Sequence, residues 1–175
     1  EVPAVPRPPS LAERVAHAFA EGGPLARAVP DFEPRPSQLE MAEATAEVLE
    51  AGGVLLAEAG TGIGKTLAYL VPAILSRQRV LVSTGTKNLQ EQIFFKDLPA
   101  LREALSVPFT ATYMKGRGNY LCRHRFESFM SSPEPRSSDE RAYLAVLEPW
   151  SRQTETGDRA EVADLPEELS FWSDI

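Results

Sequence analysis

The eight residues AGTGIGKT, Ala59 to Thr66, have the types and spacing of a phosphate-binding loop. Gly60, Gly62 and Gly64 let a backbone turn its N–H groups inward around phosphate oxygens. Lys65 would reach the β- and γ-phosphates of a nucleotide, and the Thr66 hydroxyl would sit on Mg²⁺. Thr61 and Ile63 fill the variable positions, and Ala59 stands where the general pattern has glycine. The expected ligand is a nucleoside triphosphate with Mg²⁺. The bland alternative is a glycine-rich turn that binds nothing. The context disfavours it, because an apolar run, VLLAEA, precedes the loop and a helical pattern, GKTLAYLVPAILSR, follows it. A helix N-terminus there adds partial positive charge beside the phosphates.

A second stretch, YMKGRGNYLCRHR at 113–125, holds the only cysteine, Cys122. Lys115, Arg117, Arg123 and Arg125 surround it with no carboxylate, in a chain whose net charge is −7. One thiol makes no internal disulfide and holds no metal alone, so residue chemistry favours a small, inert hydrophobe.

A phosphate loop names no reaction, so flanking residues must decide. Arg35 and Gln38 precede the loop in FEPRPSQ. A Gln amide both donates to and accepts from an adenine edge, which would select ATP over GTP. Alone, Gln38 reads more simply as a surface residue of a first helical turn. Downstream, Ser83, Thr84 and Thr86 lie where a strand would turn into a helix, a setting that suits a nucleic-acid phosphate. The plainer reading of Thr86 is an N-cap.

The elements that must position these residues follow from periodicity. A chain of 175 residues with 43% apolar content is one ordinary domain, or one with part of another. No apolar run approaches the ~20 residues that span a bilayer, and the proline-rich start, EVPAVPRPPS, lacks a signal pattern. An intracellular, cytoplasmic protein without disulfides is expected. Residues 1–9 read as a loose arm, followed by a short amphipathic helix from about Ser10 to Ala20. The next helix is expected to start at Ser37, capped by a box with Glu40, to bury Met41, Thr45, Val48 and Leu49, and to stop at Gly52-Gly53. VLLAEA, RVLVST and FTATYM are strand candidates. TKNLQEQIFFKDL reads as a helix stopped by Pro99. Strands alternating with helices imply an α/β fold with a parallel sheet. SSPEPRSSDE reads as a linker and RAYLAVLEPW as one short helix. From Glu161 to Ile175 there are five carboxylates and no Lys or Arg. Residues after about 126 are expected to bury little apolar surface by themselves.

Arg35-x-x-Gln38, EAGTGIGKT, VSTGTKNLQEQIFFKDLP and KGRGNYLC occur in this order. Together they resemble the XPD/DinG family of superfamily 2 DNA helicases, in particular its bacterial DinG/YoaA branch. The match runs from about Phe32 to Cys122, and more thinly to WSRQTETGD near 150–158. The resemblance implies a partial RecA-like domain over 32–115, after an arm and short helix at 1–31. It implies the beginning of an inserted, mainly helical iron–sulfur subdomain over 116–175. It makes Arg35 and Gln38 adenine contacts and 83–90 a segment touching single-stranded DNA, with Thr84, Thr86 and Gln90 as contacts. Lys115, Arg117 and Tyr120 would line a path for the same strand. Cys122 would be the first of four cysteine ligands of a [4Fe–4S] cluster, which reverses its bland reading. The implied activity is ATP-dependent 5′-to-3′ DNA unwinding in a bacterial cytoplasm, by a monomer.

The sequence departs from that family pattern. Three of the cluster cysteines, the acidic box that would position Mg²⁺ and water, and the second motor domain are absent from these 175 residues. An N-terminal piece of a longer motor explains this most simply, and such a piece should turn over ATP negligibly by itself. The alternatives are a nucleotide-binding regulatory module without hydrolysis and a phosphate-loop kinase of a small substrate.

Overall fold

Ser10 opens the first helix, α1 (Leu11–Phe19), with a reciprocal cap. Its hydroxyl accepts from Glu13 N at 3.1 Å, and its own N–H donates to the Glu13 carboxylate at 2.6 Å. The computed structural model of the chain describes residues 7–29, 32–131, 137–166 and 168–175. The loose arm expected over 1–9 therefore lies mostly outside the described residues, as do 132–136 of the expected linker. Backbone contacts divide the chain into two compact units, Glu1–Tyr113 and Met114–Ile175.

In the first unit, α1 buries Leu11, Val15, Ala18 and Phe19, one stripe at helical spacing. The chain then turns at Gly22, with φ +71°, and starts α2 (Pro24–Ala28) with Pro24 in its first turn. The backbone N–H of Leu11 donates to Glu50 at 2.9 Å, and Arg14 donates to the Leu75 carbonyl at 2.7 Å. These bonds tie α1 to the ends of α3 (Pro36–Ala51) and α4 (Lys65–Ser76).

Three sequence expectations for this unit are corrected. First, α3 begins at Pro36, with Arg35 at the N-cap and no side-chain cap; Ser37 lies inside the helix. Pro36 presets the helical φ and lacks a donor that the first turn would leave unpaired, so the N-cap falls two residues earlier than expected. Second, its most buried face is Gln38, Ala42 and Ala46, while Met41, Thr45, Val48 and Leu49 are half-buried. Ala42, Ala46 and Ala68 are fully buried, and small residues let α3 and α4 approach closely. Third, the helix after Thr86 does not stop at Pro99. It runs as α5 (Lys87–Gln92), a π-helical turn (Ile93–Asp97) and α6 (Leu98–Leu105). The π turn interrupts the i→i−4 ladder, so Pro99 falls in the first turn of α6, where its missing N–H costs little. Pro72, by contrast, lies inside α4 without ending it, as expected.

The expected parallel sheet is not formed. Among the described residues there is no strand, only an isolated antiparallel bridge between Tyr120 and Asp158. VLLAEA, RVLVST and FTATYM lack the lateral partners that a strand requires. In the first two, apolar side chains remain in solvent: Val54 is 86%, Leu56 92% and Leu81 94% exposed.

The second unit folds further than its composition suggests. Its core is Leu121, Phe126, Leu144, Leu147, Val162, Phe171, Trp172 and Ile175. Helix α7 (Arg123–Met130) follows Cys122, and α8 (Ser138–Gln153) opens with a capping box between Ser137 and Glu140. α8 is longer than the short helix expected, because that box sets its start upstream of Arg141 and Pro149 is accommodated inside it. Phe129 stacks on Phe171 with ring centroids 5.4 Å apart, and the Trp172 indole donates to the Gly118 carbonyl at 2.6 Å. The residues after 126, expected to bury little apolar surface, thus supply most of that core, through Leu144, Leu147, Val162, Phe171, Trp172 and Ile175.

Candidate functional site

The loop at 59–66 enters α4 through two glycines in the left-handed region, Gly62 at φ +82° and Gly64 at φ +83°. Three side chains seat it. Lys65 folds back to donate to the carbonyls of Ala59, at 2.8 Å, and Gly60, at 2.6 Å. Gln38 Nε2 donates to the Gly64 carbonyl at 2.9 Å, and the Arg35 guanidinium donates to the Gly62 carbonyl. Gln38 is 3% exposed, so it is no surface residue of a first turn. The structure thus brings Arg35, Gln38 and the loop together, although 26 residues of sequence separate Gln38 from Gly64.

The loop fits a polyphosphate. Gly60, Thr61 and Gly62 are exposed, and a Cβ at Gly60 or Gly62 would meet nothing within 4 Å. The twelve-residue α4 starts at Lys65 and carries no acidic residue in its first turn to compete with an anion. Toward Mg²⁺ the chain offers the Thr66 hydroxyl; no group of three or more His, Cys, Asp or Glu converges among the described residues.

Gly64 leads to a sharp expectation. A Cβ there would lie 2.0 Å from Gln38 Nε2, on a backbone with φ +83°. Gly64→Ala should cost about 1–3 kcal/mol, from left-handed strain plus eviction of the Gln38 amide. Thermal unfolding should show a lower midpoint, with the Gln38→Ala variant recovering part of the loss.

Sequence reasoning missed Tyr69. It lies one helical turn after Thr66 in α4, half-buried. Burial raises the Tyr69 pKa, the Thr66 side chain opposes that rise, and the charge of Asp97 adds to it. Asp97, the last residue of the π turn, is itself raised, mainly by burial, with Gln92 and Lys96 opposing. The spacing of Thr66 and Tyr69, i and i+3 on a helix, was the available signal.

The residues expected to meet DNA are placed in both units. Thr86 is the N-cap of α5 and accepts from Leu89 N at 3.2 Å, and the Thr84 hydroxyl donates to the Thr86 carbonyl at 3.2 Å. The plain capping role of Thr86 is therefore present. Gln90 lies within α5, half-buried. Lys115 does not line an open path. Its ammonium is buried against Asp158 at 2.8 Å, with both side chains at most 5% exposed. Tyr120 accepts from Lys115 N at 2.8 Å.

Arg117, Tyr120 and Cys122 share a hollow of about 460 Å³ with Arg125 and Trp172. Arg123 and Arg125 donate to the carbonyls of Thr154 and Ser173. Cys122 is exposed at the start of α7. A [4Fe–4S] cluster normally takes four thiolates, and this chain has one. The residues present do not fit a cluster by themselves.

Residues 36–116 match the DEAD/DEAH box helicase family. That segment is therefore similar to the helicase phosphate-loop domains, whose RecA-like fold it implies. Over most of its length the chain is also similar to two named ATP-dependent DNA helicases. It is 40% identical over 154 residues to YoaA of Escherichia coli, and 39% over 155 residues to YoaA of Haemophilus influenzae. It is 43% identical over 123 residues to DinG of Salmonella typhimurium. These matches cover 88%, 89% and 66% of this chain. The YoaA matches extend into both units. The chain spans 24% of each YoaA relative and 17% of the DinG relative.

Proposed function

We propose that this chain is the ATP-gripping and strand-contacting part of a DNA helicase motor. The observation that carries the reading is the seated loop: Arg35, Gln38 and Lys65 all donate to carbonyls of residues 59–64. On nucleotide binding, Lys65 exchanges the Ala59 and Gly60 carbonyls for β- and γ-phosphate oxygens. Gln38 keeps the Gly64 carbonyl through Nε2, leaving Oε1 as the acceptor for an adenine amino group. The Thr66 hydroxyl holds Mg²⁺, which when bound neutralises charge on the phosphates. Helicase relatives named YoaA and DinG support ATP as the nucleotide and DNA as the partner. Within the strand-contacting part, Thr84, Thr86 and Gln90 are one contact region, and Arg117 with Tyr120 a second. Unwinding in the 5′-to-3′ direction, in a bacterial cytoplasm, rests on the family resemblance. So does an iron–sulfur role for Cys122, whose partner thiolates would have to come from outside these residues.

The test is binding, with the chain as it stands. Fluorescent ADP should bind in the presence of Mg²⁺, and labelled oligothymidine should bind more tightly than duplex of the same length. Positioning supplies most of phosphoryl-transfer catalysis, so turnover should stay negligible. Indifference to ADP, or equal affinity for single strand and duplex, sinks the reading.

A further inference from the structure

The chain has eight Phe, four Tyr and two Trp, and the fold draws all but one of them out of open solvent. Phe95 is 62% exposed, the only aromatic side chain among the described residues that is left mostly in water. The ring is nevertheless held. It meets Phe94 edge to face, with centroids 5.1 Å apart and planes at 87°, and it meets Tyr113 at 5.4 Å and 74°. Phe94 and Tyr113 close the group at 4.6 Å. Adjacent residues of a regular helix do not face each other, yet Phe94 and Phe95 do, inside the π turn Ile93–Asp97. Turns of this kind recur at functional sites. Ile93, the first residue of the turn, is buried in the core of the first unit and anchors it. Two rings therefore support a third that packs under nothing, and a ring already held loses little freedom when a partner arrives.

Three observations say what that partner is. The exposed group is an aromatic face, which a flat π system covers better than an aliphatic side chain does. The charges on the run from Thr86 to Asp97 are sorted: Lys87 and Lys96 are exposed, whereas Glu91 and Asp97 are half-buried. The run thus shows cations to solvent on either side of the ring, as a chain of phosphates requires. Phe95 also continues the helical run that Thr86 caps, roughly 13 Å further along at 1.5 Å per residue. We propose that Phe95, propped by Phe94 and Tyr113, is a stacking platform for a nucleobase of single-stranded DNA, extending the strand-contacting region 84–90 through the π turn. The proposal deepens the function proposed above and rests on its placing of a DNA strand at 84–90. A base inside a duplex is already stacked on both faces, so the platform reads only single strands, and it does so without choosing among bases.

The experiment uses the 175-residue chain and three labelled probes: oligothymidine, an abasic oligomer of the same length, and duplex. Phe95→Ala should weaken oligothymidine binding by about five- to a hundredfold, the worth of one stacked base. Its affinities for duplex, for the abasic oligomer and for ADP should stay within about twofold of the unsubstituted protein. Phe95→Leu keeps an apolar side chain without a π face and should behave like Phe95→Ala. Phe95→Trp should bind oligothymidine at least as tightly as the unsubstituted protein. The indole it adds to Trp150 and Trp172 should be quenched by oligothymidine and not by the abasic oligomer. Oligothymidine affinity unchanged in Phe95→Ala overturns the proposal and leaves the ring to a protein partner. Full affinity in Phe95→Leu, or an indole that ignores oligothymidine, overturns it equally, since any apolar contact would then serve. A different failure is distinguishable: if the unsubstituted chain binds oligothymidine no better than duplex, the strand-contacting reading itself falls, and this inference with it.

Discussion

Lys65→Ala should lower nucleotide affinity by about ten- to a hundredfold, the worth of a charge-assisted contact of roughly 1.5–3 kcal/mol. Two effects add. The ammonium that would meet the phosphates is gone, and so are the bonds to the Ala59 and Gly60 carbonyls that shape the empty loop. Titration of fluorescent ADP against both proteins measures the loss. Far-ultraviolet circular dichroism should be unchanged, because α4 starts at Lys65 and alanine is a good helix former. Affinity within about twofold of the unsubstituted protein would mean that the loop binds no phosphate, since no geometry of a phosphate loop leaves its lysine idle.

Breaking the Lys115–Asp158 pair should have the largest effect on stability. The two charges are 2.8 Å apart, and their side chains are 3% and 5% exposed. Breaking a buried pair by removing one partner typically costs about 3–5 kcal/mol. Asp158 also anchors its own turn, accepting from Ala160 N at 3.0 Å, and Leu121 N donates to the Gly157 carbonyl at 2.8 Å beside it. Asp158→Ala should therefore release the segment carrying Tyr120 and Cys122 from the segment 154–161. Amide exchange should rise sharply over 115–130 and 143–175, with residues 11–105 unaffected. A joint replacement, Lys115→Met with Asp158→Leu, should recover much of the stability, because it removes both charges of the pair. Unchanged exchange in Asp158→Ala would mean that the pair is not what holds the unit.

What was legible in the sequence was local. The turn at 59–66 depends on glycines at fixed spacing, and it enters α4 where they stand. α1 carries its stripe and α4 tolerates Pro72, both readable from period and composition. Ser37 looked like a cap because its hydroxyl and Glu40 fit the pattern; Pro36 one residue earlier took the helix start instead. The stop at Pro99 failed because a π turn has no residue signature of its own. The strands failed for a different reason. VLLAEA and RVLVST are apolar enough to be buried, but pairing depends on neighbours, which a local pattern does not contain. The second unit was least legible. Leu121, Leu144 and Trp172 are scattered among polar residues, and they converge only through contacts far apart in sequence, like the Lys115–Asp158 pair across 43 positions. Gln38 stood between two readings, and its burial beside Gly64, which removes the surface one, has no local signature in the sequence.

The unpaired segments at 54–56 and 80–82 have a practical consequence. Val54, Leu55, Leu56, Val80, Leu81 and Val82 are all substantially exposed. β-branched and aliphatic residues that carry neither charge nor ladder are the composition from which intermolecular sheets nucleate. Handling of the purified chain will be limited by aggregation rather than by unfolding: its solubility ceiling is set by six side chains, and concentration, not temperature, is the variable that will find it first.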